Sequence, residues 1–371
     1  MTFDDFFARI ETQYNAQLPF VAYRKPRETQ VNGLLQQTKQ LHVVNDFTEK
    51  GFVFAPFDDE APSVLIPMNV SKGLSANIPL EGEKVSQMLS SEISLEDKRL
   101  HIKLVDKGID AIKKSEFEKV VLSREETVNL SEASPFSIFI NLLNTYPQAF
   151  VYCWYHPKIG LWLGATPETL IKIGGNQFSI MALAGTQVYK DTLKVNWGTK
   201  EYEEQQYVTD FIVNSLKPLV DSFKVSNTET VKAGNLLHLK TMISASLKAS
   251  SNLKTLISAI HPTPAVCGLP KLKAKQFILE NENYNRAFYT GYLGELNMET
   301  IVKPRSGRRN IENRAYTITK NNTQLYVNLR CMQLVEKTAI IYVGGGITAG
   351  SESDKEWEET VSKSLIIKNI L

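Results

Sequence analysis

The chain has 371 residues, of which 43% are hydrophobic and 22% charged, and its formal net charge is +2. This is the composition of a globular protein with enough length for a large core. No basic stripe with interleaved aromatic residues is present, so a nucleic-acid partner is not expected. The N-terminus is acidic and amphipathic, unlike a signal peptide, and the longest apolar run (149–155) is too short to span a membrane.

Three cysteines, Cys153, Cys267 and Cys331, lie far apart, with no CxxC motif and no histidine at zinc-ligand spacing. This pattern is typical of reduced residues in a core or a pocket wall. Because disulfides are rare in the cytoplasm, the pattern fits a cytoplasmic protein. We expect no membrane partner.

The first hundred residues carry few signals, apart from an apolar strand at 52–57 that ends in a turn. A helix is predicted over 94–114, with Ser94 as its N-cap. From about residue 117, apolar or alternating runs bounded by Gly, Pro or Asn predict strands at 119–124, 148–156, 161–165, 177–183, 289–296, 324–334 and 338–344. Helical periodicity falls at 198–219, 270–283 and 353–370.

Successive strands with helices between the blocks predict a mixed α and β protein built on large, mainly antiparallel sheets. Regular alternation of strands and helices is missing, and the chain has no GxGxxG or GxxxxGK[ST] motif. Nucleotide-binding folds therefore have no support in the sequence.

Two pairs of glutamates, Glu201/Glu204 and Glu356/Glu359, lie in predicted helices with i,i+3 spacing. Residues three apart are neighbours on one helix face, so each pair concentrates negative charge. Two acidic faces from distant parts of the chain suggest a hard cation held by oxygen ligands. The alternative is two solvated helix faces, and the pair spacing alone favours that alternative.

Lys119 begins an apolar strand, and Glu168 lies where another strand turns. A buried lysine has a lowered pKa and can act as a general base, whereas a buried carboxyl with a raised pKa can act as a general acid. Taken alone, each residue fits a solvent-facing position better.

Ala184-Gly185-Thr186 follows a predicted strand, and Gly185 would allow a ligand to approach the backbone closely. Arg330 shares a polar strand face with Tyr326 and Asn328, where a guanidinium can bind a carboxylate with two hydrogen bonds. The alternatives are an ordinary turn and a solvent-facing side of a sheet.

The run Gly344-Gly345-Gly346 lies between a predicted strand and the last helix, where it could form a backbone nest for an anion or a flexible connector. His238 and His261 are single histidines in apolar surroundings. Such histidines are more often residues of the core than catalysts.

In this order, the segments that carry these residues resemble the chorismate-utilising enzymes. That family includes isochorismate synthase, salicylate synthase, anthranilate synthase component I and aminodeoxychorismate synthase component I. The matching segments, over roughly residues 110–371, are FEKVVLSR (117–124), GATPETL (164–170), LAGT (183–186), KEYEEQQYV (200–208), HPTPAVCGLPK (261–271), AFYTGYLGEL (287–296), YVNLRC (326–331), VGGGI (343–347) and EWEET (356–360).

The resemblance implies an α+β chorismate-binding fold like that of anthranilate synthase component I, a large antiparallel β-sheet sandwich with outer helices. It implies one domain over residues 1–371. Within that domain, residues 1–109 match the family poorly and residues 110–371 carry its motifs.

The resemblance also implies residue roles. Lys119 would be the base that activates water, and Glu168 the acid that protonates the departing C4 hydroxyl. Carboxylates would hold Mg²⁺, with Glu204 and Glu359 as ligands and Glu201 and Glu356 as second carboxylates. The residues implied for substrate binding are Ala184, Gly185, Thr186, His238, Arg330, Gly345 and Gly346.

The activity implied is Mg²⁺-dependent isomerisation of chorismate to isochorismate, for menaquinone or siderophore synthesis, with no glutaminase subunit. Ala184 stands where covalent aminodeoxychorismate synthases have a lysine, and the Pro264-Ala265 version of the His-Pro segment resembles isochorismate synthases. Salicylate synthase is the main alternative and anthranilate synthase component I a weaker one. The chain departs from the family at Gln205, where histidine is usual, and at Glu295, where tryptophan is usual.

Overall fold

The computed structural model describes residues 1–79, 94–130, 134–233, 236–302 and 318–371. The helices in these ranges are α1 Phe3–Asn15, α2 Leu95–Lys113, α3 Pro135–Thr145, α4 Thr199–Leu216, α5 Leu253–Ile260, α6 Lys271–Asn281 and α7 Ser353–Lys368. The strands are β1 Phe20–Arg24, β2 Gln30–Gln36, β3 His42–Val43, β4 Gly51–Ala55, β5 Val64–Pro67, β6 Ser71–Asn77, β7 Lys119–Asn129, β8 Phe150–His156, β9 Gly160–Thr166, β10 Thr169–Gly174, β11 Gln177–Val188, β12 Val220–Val225, β13 Glu229–Ala233, β14 Leu236–Leu247, β15 Gly268–Leu269, β16 Tyr292–Val302, β17 Ile318–Val327, β18 Cys331–Val335 and β19 Thr338–Ile347.

Two antiparallel sheets organise the described chain. The first sheet has the order β15-β7-β19-β18-β9-β8-β1-β2-β6, and the second has the order β12-β14-β11-β10-β17-β16-β4-β5-β3, with β13 also paired to β14. Strands from the N-terminal 79 residues extend both sheets, as β1 pairs with β8 and β4 pairs with β16.

An aromatic layer fills the space between the two sheets. Phe150, Tyr152 and Trp154 alternate along β8 and point into this layer, where they meet Phe54 of β4 and Tyr326 of β17. Burial of large aromatic side chains is the strongest apolar contribution that a core receives per residue. This layer therefore holds the sheets face to face.

Helices cover the outer faces of both sheets. Helices α1 and α3 pack on the first sheet through residues such as Phe6 and Phe139, and α4 and α5 pack on the second through residues such as Ile212 and Leu256. Helices α2 and α6 cover β7. The predicted antiparallel sandwich with outer helices is confirmed.

Local signals predicted several elements correctly. The Ser94 hydroxyl accepts a hydrogen bond from the Asp97 backbone N–H at 3.1 Å, so it is the N-cap of α2 as predicted. Helices α1, α3 and α5 and the strands of the first 79 residues, apart from β4, were not predicted. The local pattern of their apolar residues does not distinguish helix from strand, and the packing on the sheets decides which of the two forms.

Three boundary predictions were wrong. The predicted strand at 324–334 is two strands, β17 and β18, which lie in different sheets. Residues 184–186 lie inside β11, across an irregular register, rather than after it. The glycines at 344–346 lie inside β19, where Gly346 pairs with Val121, so they are neither a connector nor a turn.

The three cysteines are free and buried, as expected. Among the described residues, no helix combines the length and the apolar character that a membrane span requires.

Candidate active site

One pocket collects most of the residues singled out in the sequence. It lies where β7 and β19 of the first sheet approach β11 and β14 of the second, beside α4 and α7. The predicted site residues that line it are Lys119, Glu168, Ala184, Gly185, Thr186, Glu204, His238, Arg330, Gly346 and Glu359. Glu201, Gly345 and Glu356 are not among its lining residues.

Lys119 is a buried lysine, only 2% exposed. Its strand is flanked on both sides, because Lys119 pairs with Leu269 of β15 and the next residue pairs with Ile347 of β19. The Lys119 Nζ lies 3.3 Å from Oε1 of Glu204. The strand-edge alternative, a side chain that reaches solvent, is therefore wrong.

Glu168 is also buried, 4% exposed, two residues after β9 ends. Its carboxyl has no hydrogen-bond partner among the described residues, and its side chain lines the pocket. Burial raises the pKa of Glu168 to about 8, although Arg330 and Lys119 act in the opposite direction. The exposed-turn alternative is wrong, and the carboxyl is mostly protonated at neutral pH.

Arg330 sits in the break between β17 and β18, with a left-handed backbone at φ 49°. Asn328 holds this break: its side-chain Oδ1 accepts from the Tyr152 hydroxyl at 2.6 Å, and its Nδ2 donates to the Phe288 carbonyl at 2.9 Å. Tyr326 and Asn328 are buried, so the predicted solvent-facing alternative for this polar face is wrong.

The guanidinium of Arg330 donates no hydrogen bond to any described residue and lines the pocket. The charged and titratable groups around it include Tyr289, Glu359 and Glu168. A half-buried guanidinium with unused donors is suited to bind a carboxylate of a ligand with two parallel hydrogen bonds.

His238 and the backbone of β11 form another part of the wall. The His238 Nδ1 lies 2.8 Å from the Gly185 carbonyl, and burial lowers the pKa of His238 to about 3. Since a carbonyl only accepts, we infer that Nδ1 carries the hydrogen and that Nε2 presents a lone pair. Nε2 is buried and has no partner among the described atoms. Gly185 has φ 69° and packs on Glu201, which explains a glycine at this position.

Three carboxylates from α4 and α7 converge on the glycines of β19. A Cβ atom on Gly346 would lie 2.5 Å from Oε1 of Glu204. A Cβ atom on Gly345 would lie 3.5 Å from Oε2 of Glu356 and 3.6 Å from Oε1 of Glu359. Because residues 345 and 346 are glycines, the three carboxylates have the space that they occupy beside β19.

Each of the three carboxylates is paired with a lysine. Besides the Lys119–Glu204 pair, Lys200 contacts Glu356 at 2.7 Å and Lys363 contacts Glu359 at 2.5 Å. Burial and repulsion by Glu359 raise the pKa of Glu356, against the effect of Lys200. Burial would also raise the pKa of Glu359, but Lys363, Lys200 and Arg330 hold it below its usual value.

The donor set fits a hard cation in its chemistry, because carboxylate oxygens are the ligands that Mg²⁺ prefers. Within the described ranges, however, no three His, Cys, Asp or Glu side chains are close enough to hold a metal ion as they stand. Glu201 lies apart: its Oε2 is 2.8 Å from the Cβ position of Gly198, at the start of α4. Gly345 and Gly346 face carboxylates, which favours a cation there over the carboxylate of a substrate.

Sequence reasoning missed several lining residues. Lys363 follows Glu359 by four residues on α7, a spacing that predicts an ion pair, and it also donates to the Gly344 carbonyl at 2.9 Å. Tyr289 and Thr290 enter the pocket through a turn in which Thr290 has φ 60°. The local sequence pattern did not predict this turn. His261 is buried against Tyr292 and does not line the pocket, as expected for a core histidine.

Comparison with known proteins identifies the family to which the chain belongs. The family model "Chorismate binding enzyme" matches residues 70–312, and a second model with the description "chorismate binding enzyme" matches residues 315–369. The chain belongs to the chorismate-binding enzyme family, and the predicted resemblance is confirmed.

Two relatives carry the name isochorismate synthase MenF. The chain is 30% identical over 310 residues to isochorismate synthase MenF of Pasteurella multocida, which covers 78% of this chain and 66% of that protein. It is 28% identical over 369 residues to isochorismate synthase MenF of Haemophilus influenzae, which covers 90% and 81%. The alignment thus spans about two thirds of the first relative and four fifths of the second.

A solved structure with the same fold is that of MenF, the menaquinone-specific isochorismate synthase of Escherichia coli. The TM-score is 0.74 at 17% sequence identity, and the match covers 95% of this chain and 88% of that chain. At this identity the likeness shows the fold, which confirms the predicted chorismate-binding fold.

Proposed function

We propose that this chain is an isochorismate synthase, an isomerase that converts chorismate to isochorismate by adding water at C2 and losing the hydroxyl from C4. Relatives named isochorismate synthase support this proposal. The observation that carries it is Glu168, a carboxyl with a pKa of about 8 in the same pocket as the buried Lys119. A protonated carboxyl that can act as an acid and an amine that can act as a base are the groups such a reaction needs.

Binding of the substrate follows from the free donors of the pocket. Chorismate is a dianion, and Arg330 has an unused guanidinium to hold its enolpyruvyl carboxylate. The Nε2 lone pair of His238 is available to a hydroxyl of the ring. The β11 backbone at residues 184–186 would form the floor under the ring, since a small residue at 184 and a glycine at 185 leave it open.

The reaction balances with two proton transfers. In the neutral form that the reaction requires, Lys119 takes a proton from the water that adds at C2, and Glu168 gives its proton to the hydroxyl that leaves C4 as water. The ring double bonds shift between these positions, so substrate and product have the same composition. Lys119 ends protonated and Glu168 ionised, and exchange with solvent restores both.

We propose Glu204, Glu356 and Glu359 as the carboxylates that hold Mg²⁺, with Glu201 as an outer residue. When bound, Mg²⁺ would neutralise part of the carboxylate cluster and attract the ring carboxylate. The three lysines that now pair with these carboxylates would have to share them with the ion. We further propose a cytoplasmic location, since the three cysteines are free. The product would serve menaquinone or siderophore synthesis.

A product assay tests the proposal. The purified protein is incubated with chorismate and Mg²⁺, without ammonia or glutamine, and the products are separated by chromatography with mass detection. We expect a species with the mass of chorismate, in reversible equilibrium with it and absent with a chelator. Salicylate with pyruvate would identify a salicylate synthase instead, and anthranilate formed only with ammonia would identify the other alternative.

A further inference from the structure

A buried ion pair lies directly behind the pocket, and the proposed reaction does not use it. The side chains of Arg286 and Glu282 are each 2% exposed. They form a two-pronged contact, with Nε to Oε2 at 2.7 Å and Nη2 to Oε1 at 2.6 Å. The guanidinium also stacks on the ring of Phe57 at 4.5 Å. Because a buried ion pair loses the hydration of both charges, stability alone is a weak reason for its presence.

The Arg286–Glu282 ion pair lies at the edge of the first sheet, where the short edge strand β15 ends and no longer pairs with β7. Strand β15 pairs with Lys119 and Val120 of β7, and the Val121 N–H still donates to the Cys267 carbonyl at 2.8 Å. Beyond this point β15 supplies no partner. The Val121 carbonyl instead accepts from Nη2 of Arg286 at 2.6 Å, and the Ser123 N–H donates to Oε1 of Glu282 at 2.8 Å.

These contacts have the pattern of a missing strand. In an antiparallel ladder, alternate residues present their N–H and C=O groups to the same neighbour. Val121 and Ser123 are such alternate residues, and the ion pair supplies one donor and one acceptor in the required order. The Glu282 carboxylate also accepts from the Ser123 hydroxyl at 2.8 Å. The guanidinium and the carboxylate together therefore take the place of the residues that would extend β15 beyond Cys267.

Arg286 binds two further segments of the pocket wall. Its Nη1 donates to the Val266 carbonyl at 3.0 Å and to the Thr290 hydroxyl at 3.3 Å. Val121, Val266 and Thr290 all line the pocket, and they come from three separate parts of the chain. One guanidinium thus joins the strand of Lys119 to both segments that face it.

We propose that Arg286 and Glu282 form a positioning unit that fixes the direction of β7 and thereby sets Lys119 against the substrate. The inference rests on the proposed function, because it takes Lys119 as the base. Neither residue lines the pocket, so both act through backbone atoms rather than on the substrate. A small shift of β7 would displace the Lys119 amine, and a displacement of about 1 Å is enough to cost about a hundredfold in rate.

The test compares Arg286→Lys with a matched control, Arg24→Lys. Lysine keeps the charge beside Glu282 but cannot serve the three other acceptors together. Arg24 is equally buried, at 3% exposed, and its guanidinium binds the carbonyls of Leu143, Tyr146 and Ala149, which lie outside the pocket. Both variants should lose thermal stability. We expect Arg286→Lys to lower kcat by about tenfold to a hundredfold with KM changed less than about threefold, and Arg24→Lys to leave both within about twofold.

Hydrogen exchange gives a measurement that is independent of activity. Peptides that cover residues 117–124 should exchange faster in Arg286→Lys than in the wild type, and at the wild-type rate in Arg24→Lys. Glu282→Gln is the second variant, for use if Arg286→Lys does not fold. It retains an acceptor for Ser123 but weakens the hold on Arg286, so we expect the same changes at smaller size.

The outcomes separate the two proposals. The positioning role is overturned if the wild type makes isochorismate and Arg286→Lys and Glu282→Gln both keep the wild-type kcat. It is also overturned if hydrogen exchange at residues 117–124 is the same in Arg286→Lys as in the wild type. If the wild type makes no isochorismate, the proposed function fails. Hydrogen exchange then tests the ion pair separately: faster exchange at residues 117–124 in Arg286→Lys would show that the pair holds β7, and unchanged exchange would show that it does not. Equal losses of kcat in Arg286→Lys and Arg24→Lys would reduce the pair to a general structural role and overturn the inference.

Discussion

The carboxyl groups on the two sides of the pocket have opposite environments. On the sheet side, Glu168 is buried without a hydrogen-bond partner among the described residues, and its pKa is raised to about 8. On the helix side, Glu204, Glu356 and Glu359 each contact a lysine. Glutamate carboxyls thus lack a direct partner on one side of the pocket and contact lysine side chains on the other.

The difference shows which effect decides the charge of a buried carboxyl. Arg330 and Lys119 both favour ionisation of Glu168, yet burial outweighs them because neither contacts it directly. Glu359 is subject to the same burial, but Lys363 in direct contact, together with Lys200 and Arg330, outweighs burial and lowers the pKa of Glu359. Contact with a lysine does not decide the outcome alone, because Glu356 contacts Lys200 and still has a raised pKa owing to burial and to repulsion by Glu359.

Removal of the base is expected to have the largest effect. Lys119→Ala should lower turnover by about a thousandfold or more, because general base catalysis contributes up to about 10⁴. Binding of chorismate in the presence of Mg²⁺, measured by calorimetry, should persist. Lys224→Ala on the exposed strand β12 is the control and should be fully active. Full activity of Lys119→Ala would remove the base from the mechanism.

The neutral state of Glu168 predicts a pH-dependent gain of stability in Glu168→Gln. The folded pKa of about 8 lies above the ordinary value of 4.5, so between these pH values the folded chain binds a proton that the unfolded chain releases. Stability of the wild type therefore falls as pH rises from about 4.5 to 8, and this fall is absent in the variant. At pH 7 the variant should gain on the order of 3 kcal/mol in the free energy of unfolding.

Denaturant unfolding at pH 4.5 and pH 7 measures this difference. A gain of equal size at both pH values would show that Glu168 is ionised in the folded chain, which contradicts its assignment as the acid. In activity assays, kcat/KM of the wild type should fall as pH rises through about 8, because the acid of the free enzyme then loses its proton.

The two glutamates of α4 should differ although their spacing suggests equal roles. Glu204 points at Gly346 and contacts Lys119, whereas Glu201 lies against Gly198. We expect Glu204→Gln to lower kcat/KM by about a hundredfold and to weaken Mg²⁺ binding, and Glu201→Gln to change kcat/KM by less than about fivefold. Titration of Mg²⁺ by calorimetry and kinetics measures both. Equal losses in the two variants would restore Glu201 as a ligand.

The glycines of β19 offer a finer test of the carboxylate side. Gly346→Ala places a methyl group 2.5 Å from Oε1 of Glu204, and Gly345→Ala places one 3.5 Å from Oε2 of Glu356. The first methyl group forces Glu204 to move and also lies 3.0 Å from Cε of Lys119, whereas the second makes an ordinary van der Waals contact. We expect Gly346→Ala to lower kcat/KM by about tenfold and Gly345→Ala by less than about threefold. The reverse order would mean that Glu356, rather than Glu204, fixes the cluster.

The sequence by itself determined the elements with strong local patterns. The continuous apolar run of β8 and the cap of α2 at Ser94 are local signals, and the structure has both elements close to their predicted bounds. The order of the motifs determined the family, the fold and the identity of about half of the residues that line the pocket. Each motif is a short local pattern, and the order of the motifs along the chain can be read without any tertiary contact.

Only the tertiary structure decided which of these residues are buried and what they contact. Lys119 looked like an exposed strand end, but β15 and β19 enclose it on both sides. The break at residues 328–330 depends on Tyr152 and Phe288, and the different roles of Glu201 and Glu204 depend on β11 and β19. Burial and pairing are set by residues distant in sequence, so no local pattern fixes the charge states on which the proposed chemistry depends.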